Sequence, residues 1–122
     1  MMKYFILAFK KWNDINGRAN LKEYWYYVLF YFLFTLILSF LDVVFFEYDP
    51  YDPSQFGVLS YVFGLINLLP SLTLTVRRYH DVNKSGWNLL WALTIIGLLY
   101  LFILTILKGS KEDNHYGAPS NA

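Results

Sequence analysis

The sequence contains no cysteine. It can therefore form no disulfide, no thiolate metal site and no cysteine nucleophile, and its redox compartment is not legible from cysteine usage. Charge is also scarce. Asp, Glu, Lys and Arg make up 16% of the 122 residues, against about 25% in ordinary soluble domains. None of them occurs from Tyr24 to Leu41, from Pro53 to Val76 or from Ser85 to Leu107, runs of 18, 24 and 23 residues. An uncharged, mostly apolar run of about 18 residues or more reads as a membrane span, because about 20 helical residues cross a hydrocarbon layer of about 30 Å. A single domain of this length has no soluble core able to bury three such helices. The net charge of +1 selects no polyanionic partner. Together these features exclude a soluble enzyme, a nucleic-acid binder and a secreted domain. They leave a small integral membrane protein. A signal peptide is not expected either, because Lys3 is followed by only six largely apolar residues before Lys10-Lys11, too few for its apolar region.

Aromatic residues are abundant, at 21% of the chain. Met1 to Trp12 reads as an interfacial helix, with Met2, Phe5, Phe9 and Trp12 on one side and Lys3, Lys10 and Lys11 mostly on the other. Asn16-Gly17 marks a turn. Asn20, three residues before Glu23, forms an asparagine version of the capping box at the head of a long apolar run. The spacing predicts a first span over about 21–46, opened by the aromatic belt Tyr24-Trp25-Tyr26-Tyr27. A loop with Asp42, Glu47, Asp49 and Asp52 and no basic residue leads to a second span over about 56–78. A short basic loop then leads to a third span over about 86–107, capped by Ser85 or Asn83. The tail from Lys108 is polar, and residues 118–122 are expected to be flexible. The predicted architecture is all-α: one membrane domain over 1–117, a bundle of three transmembrane helices with an N-terminal interfacial helix. The N-terminal segment through Lys22 carries five Lys or Arg, the first loop none, the second loop three and the tail two. The positive-inside rule then favours a cytoplasmic N-terminus and, with three spans, an outward C-terminus.

The second span carries a narrow stripe, Ser60, Gly64, Asn67, Ser71 and Thr75. The first carries Tyr24, Tyr27, Tyr31, Thr35 and Asp42. Small and polar residues on one face let membrane helices approach and hydrogen-bond. Packing is the favoured reading and a polar path the sharper one. Pro70 removes one backbone hydrogen bond from the second span.

Three segments carry a resemblance to a known family. They are Gly17-Arg18-Ala19-Asn20-Leu21-Lys22-Glu23-Tyr24-Trp25, then Arg77-Arg78-Tyr79-His80-Asp81 with Lys84-Ser85-Gly86-Trp87, then Gly109 with Asn114-His115-Tyr116-Gly117. The pattern resembles the bacterial inner-membrane proteins of the "domain of unknown function 805" family. Tyr79 stands where Leu is usual, Asn20 where Ser is common, and Lys108-Gly109 where Pro-Gly often ends the last helix. The resemblance implies a small multi-span protein of the bacterial inner membrane and no assigned reaction.

With the N-terminus inside, the first two blocks meet at the cytoplasmic surface. Arg18, Lys22, Arg77, Arg78 and Lys84 form a basic rim in this reading, with Glu23, His80 and Asp81 among them and Trp25 and Trp87 as interface anchors. Such a rim suits an anionic lipid headgroup or an acidic protein segment. The competing reading is topology plus internal salt bridges, such as Glu23 or Asp81 with Arg77 or Arg78. His80-Asp81 suggests a metal hydrolase, but two His 35 residues apart supply no ligand set. The acidic loop lacks the EF-hand pattern, no G-x-S-x-G is present, and the glycines are isolated rather than phosphate-cradling. No cofactor or metal is expected. The expected function is a non-enzymatic membrane component that binds a protein partner or anionic lipid, with a homo-oligomer as a further expectation. The alternative is a subunit of a small-molecule transport or export assembly using the stripe through Ser60, Gly64, Asn67 and Ser71. A membrane-embedded enzyme acting on lipid headgroups ranks third.

Overall fold

Asn20 starts the longest helix. Its backbone is extended and its side-chain oxygen accepts from the Glu23 amide at 2.9 Å, which satisfies one orphan donor of the first turn. A computed structural model describes residues 2–120. Among these, the helices are α1 (Met2–Lys10), α2 (Leu21–Phe45), α3 (Val58–Asp81), a 3-10 helix (Gly86–Leu93) and α4 (Ile95–Ile106), with no strand. The chain is all-helical, as its composition predicts. Met1 and residues 121 and 122, which belong to the expected interfacial helix and flexible end, lie outside the described residues.

Two helices, α2 and α3, are long and apolar enough to cross a membrane. They pack antiparallel, and the two sequence stripes meet at their seam. The Tyr27 hydroxyl donates to Asn67 Oδ1 at 2.8 Å, and the Ser39 and Ser60 hydroxyls are 3.0 Å apart. Gly64 sits opposite the Tyr31 hydroxyl. Ser71 turns its hydroxyl back to the Leu68 carbonyl. Hydrogen bonds of this kind between membrane helices contribute about 0.6 kcal/mol on average.

The far end of the seam is fixed by Asp42, the last member of the first span's stripe and the first residue of the expected loop. It lies in the last turns of α2, fully buried, and caps the neighbouring helix. Its carboxylate accepts from the amides of Leu59 and Ser60 at 2.9 and 3.1 Å and from the Ser60 hydroxyl at 3.0 Å. A Cβ at Gly57 would run into this carboxylate. In the loop between α2 and α3, Asp52 accepts from the hydroxyl and amide of Ser54. These bonds, the hydroxyl first, hold its carboxyl below the usual range.

The helix α1 lies in the groove between α2 and α3. The Phe5 ring centroid is 5.3 Å from those of Tyr27 and Phe34 and 6.4 Å from that of Phe63. The buried face is Tyr4, Phe5 and Ala8, whereas Met2 and Trp12 are exposed. The expected apolar side therefore keeps Phe5 and the partly buried Phe9 but turns by about one residue. Ala8 is small enough to let α1 seat closely, which the spacing of large apolar residues does not register.

The third uncharged run is not one helix. It breaks at Thr94 into the 3-10 helix and α4, of about 16 and 18 Å, each too short to cross. They form a hairpin: Tyr100 donates to Asn88 Oδ1 at 3.2 Å and its ring meets Trp91 edge-on. Thr94 caps α4 by accepting from the Gly97 amide at 2.8 Å. A Cβ at Gly97 would overlap the Trp91 carbonyl. The hairpin leaves the end of α3 at Gly86, against Val76, and returns to it at Thr105, whose carbonyl accepts from Arg78 Nε at 3.2 Å. The tail consequently lies at the same end of the helices as the N-terminal segment, and two short helices stand where one third helix was expected.

Candidate functional site: a buried ionic knot

The helix α3 runs through Pro70 and three residues past the expected end of the second span. It stops where Asn83 adopts φ +60° and the Lys84 amide donates to the Tyr79 carbonyl at 2.8 Å, a left-handed helix terminus. Arg77, Arg78, His80 and Asp81 are thus helical residues of the last turns rather than loop residues, and helical spacing aims them at different neighbours.

Asp81 is the hub. One carboxylate oxygen accepts from Arg18 Nε at 2.9 Å and the other from Arg78 at 2.7 Å. Arg18 also donates to the carbonyls of Glu112 and Gly117 at 2.9 and 3.1 Å and to that of Ser110. Arg78 donates to the carbonyls of Ala19 at 3.1 Å, Thr105 at 3.2 Å and Leu107. Both arginine side chains are completely buried. The Ser110 amide closes onto the Asp81 carbonyl at 2.8 Å. Gly109 passes so close that a Cβ there would overlap the Asp81 carboxylate.

The tail is held at two further points. The Asn114 side chain donates to the His80 carbonyl at 2.9 Å, and the Tyr116 ring stacks on the His80 imidazole with centroids 3.9 Å apart. Reciprocal backbone bonds between Asn114 and Gly117 close a tight turn, with Gly117 at φ +108°. His80 Nδ1 lies 2.9 Å from the Gly17 carbonyl. A carbonyl only accepts, so Nδ1 carries the proton.

Arg77 differs. It is buried, its nearest carboxylate oxygen on Glu23 is 3.6 Å away, and none of its side-chain nitrogens has a hydrogen-bond partner among the described residues. Glu23 also accepts from the Ser120 hydroxyl.

The residues expected to form a basic rim therefore divide. Arg18, Glu23, Arg77, Arg78, His80 and Asp81 are brought together but buried. Lys22 and Lys84 are exposed. Trp25 donates to the Thr105 carbonyl at 3.0 Å and is part of the packing, whereas Trp87 is 80% exposed. The sequence reading missed Lys108 and Lys111, both exposed. With Lys22 they border an open cleft of about 420 Å³ between the start of α2 and the tail. Among the described residues, no group of three His, Asp or Glu is placed to hold a metal ion.

The knot unites the three segments that carry the sequence resemblance. The profile of the family described as "Protein of unknown function (DUF805)" matches residues 12–118. The chain is 32% identical to "Inner membrane protein YhaI" of Escherichia coli K12 over 117 residues, covering 95% of this chain and 93% of that protein. It is 29% identical to "Inner membrane protein YhaH" of the same organism over 117 residues, covering 95% and 94%. No solved structure matches.

Proposed function

Since the chain belongs to the DUF805 family, we propose that it is a non-enzymatic, multi-pass component of the bacterial inner membrane that holds an anionic partner at its cytoplasmic end. The names of its Escherichia coli relatives support the location. In this reading α2 and α3 cross the membrane, the hairpin 86–107 enters and leaves on one side, and α1 sits against the crossing pair at that same end.

One observation carries the reading. All ten Lys and Arg lie in the N-terminal segment, the first turn of α2, the end of α3 with its following turn, or the tail, and none lies in the loop between α2 and α3. With the tail tied to Arg18, every cation belongs to one end, which the positive-inside rule makes cytoplasmic. Arg18 and Arg78 spend their donors internally, so the lysines are the charges offered outward. Gentle extraction of the full chain from its own membrane, followed by native mass spectrometry, tests this. The expected result is a retained anionic lipid or acidic protein that is lost when Lys22, Lys84, Lys108 and Lys111 are changed to Gln. A bare chain would overturn it.

A transport or export subunit is the second reading. It is favoured by a hydroxyl-bearing cleft of about 240 Å³ lined by Tyr24, Tyr27, Tyr31, Ser71 and Thr75. That cleft opens sideways and needs a second copy or a partner to enclose it.

A further inference from the structure

We infer that one anionic phospholipid of the cytoplasmic leaflet binds at Lys22, with its phosphate in the lysine-bordered cleft and an acyl chain in the groove below. This rests on the cytoplasmic assignment of the cationic end and names the ligand and its seat.

Two concavities meet at Leu21 and Lys22. The upper one, of about 420 Å³, is bordered by Lys22, Lys108 and Lys111 with the Ser110 backbone and the start of α2. Asp81 also lines it, but its two oxygens are bound by Arg18 and Arg78. It therefore adds no free negative charge. The lower one, of about 520 Å³, is lined by Trp25, Tyr26, Leu29 and Ile106 and bears almost no polar surface. The order matches a phospholipid: cations at the level of the first helical turn, aromatic rings next, aliphatic side chains beneath. The α2 N-terminus adds the positive end of its dipole. Trp and Tyr at this depth suit the headgroup boundary. A soluble phosphate would fill only the upper half, and a zwitterionic lipid would bring a cation beside three lysines.

The test uses the full chain in mixed micelles of dioleoylphosphatidylcholine with a titrated fraction of dioleoylphosphatidylglycerol, read by native mass spectrometry. One phosphatidylglycerol per chain is expected to persist. The variant Lys22→Gln/Lys108→Gln/Lys111→Gln is expected to bind it roughly a hundredfold more weakly, at about fivefold per juxtamembrane lysine. The variant Lys3→Gln/Lys10→Gln/Lys11→Gln loses the same charge outside the cleft and is expected to keep the lipid. Leu29→Trp fills the groove and is expected to weaken the lipid without changing the cleft. Glycerol phosphate is expected not to compete. Equal loss in both lysine variants would overturn the site in favour of general surface attraction. Competition by glycerol phosphate would overturn the acyl-chain half. An acidic protein retained from the native membrane, with no phosphatidylglycerol bound in micelles, would leave the broader function standing and sink this inference.

Discussion

Arg78 and Asp81, one turn apart on α3, form a 2.7 Å ion pair in which both partners are buried, and each has a second set of obligations. Arg78 holds the carbonyls of Ala19, Thr105 and Leu107. Asp81 holds Arg18, and through it the tail. A pair inside one helix thus joins the N-terminal segment, the end of α4 and the C-terminal turn.

Asp81→Asn is expected to release the tail. It removes the negative charge from between two buried guanidinium groups, and breaking a buried pair by removing one partner costs about 3–5 kcal/mol. Limited proteolysis in detergent should then cut within residues 108–118 well before the helices. Unchanged protection of that segment would show that the Asn114–His80 and Tyr116–His80 contacts alone hold the tail.

The two adjacent arginines should behave oppositely when removed together with their acids. The Glu23–Arg77 pair is long, at 3.6 Å, and the Arg77 guanidinium donates no hydrogen bond among the described residues. Replacing a whole buried pair by apolar groups of similar size is often neutral or stabilising, by about 1–4 kcal/mol. Glu23→Leu/Arg77→Met is therefore expected to unfold no more easily than the native chain. Asp81→Asn/Arg78→Met instead removes the Arg78 donors from the carbonyls of Ala19 and Leu107, at about 1–3 kcal/mol each, while the Thr105 carbonyl keeps Trp25. Parallel denaturation of both doubles in one detergent measures the difference, and equal stabilities would contradict it.

The legible parts of the fold were those set by short-range chemistry. Asn20 and Ser85 cap the helices that they precede, and the uncharged runs mark α2 and α3. The hairpin was hidden because 86–107 is uncharged and mostly apolar, so no change of period marks the break. Its signal is local: Thr94, which caps, and Gly97, which admits the Trp91 carbonyl. The knot was half legible. Acids among the basic residues pointed to internal pairs, yet the count of charges does not say which are buried. That depended on the tail, whose polar composition gives no sign that Asn114 to Gly117 forms a turn docked on His80. Asp42 was legible as the last member of the first span's polar stripe, but not as the cap of the next helix, because that role depends on where the chain turns back.

Asp42→Ala is expected to fray the start of α3. The change frees the Leu59 and Ser60 amides, and loss of a helix cap costs about 0.5–2 kcal/mol. Hydrogen exchange at those two amides should speed up while the amides near Arg77 stay protected. Asp42→Asn keeps one acceptor oxygen and should fall between the two. Exchange unchanged in Asp42→Ala would mean that the loop, not the carboxylate, orders this end.

The absence of native cysteine lets topology be read one thiol at a time. In intact spheroplasts, a membrane-impermeant maleimide should label Tyr51→Cys, because Tyr51 is 93% exposed in the acidic loop opposite the knot. Lys111→Cys should react only after the membrane is opened, since the tail shares the end that bears all ten cations. Ile95→Cys probes the hairpin tip, where the side chain is 88% exposed to whatever surrounds the protein. If that surrounding is lipid, Ile95→Cys stays unlabelled in both conditions. A third full crossing predicts the opposite for the tail, with Lys111→Cys labelled from outside alongside Tyr51→Cys. That result would also require Arg18 to release the carbonyls of Glu112 and Gly117, because a tail on the far side could not reach them.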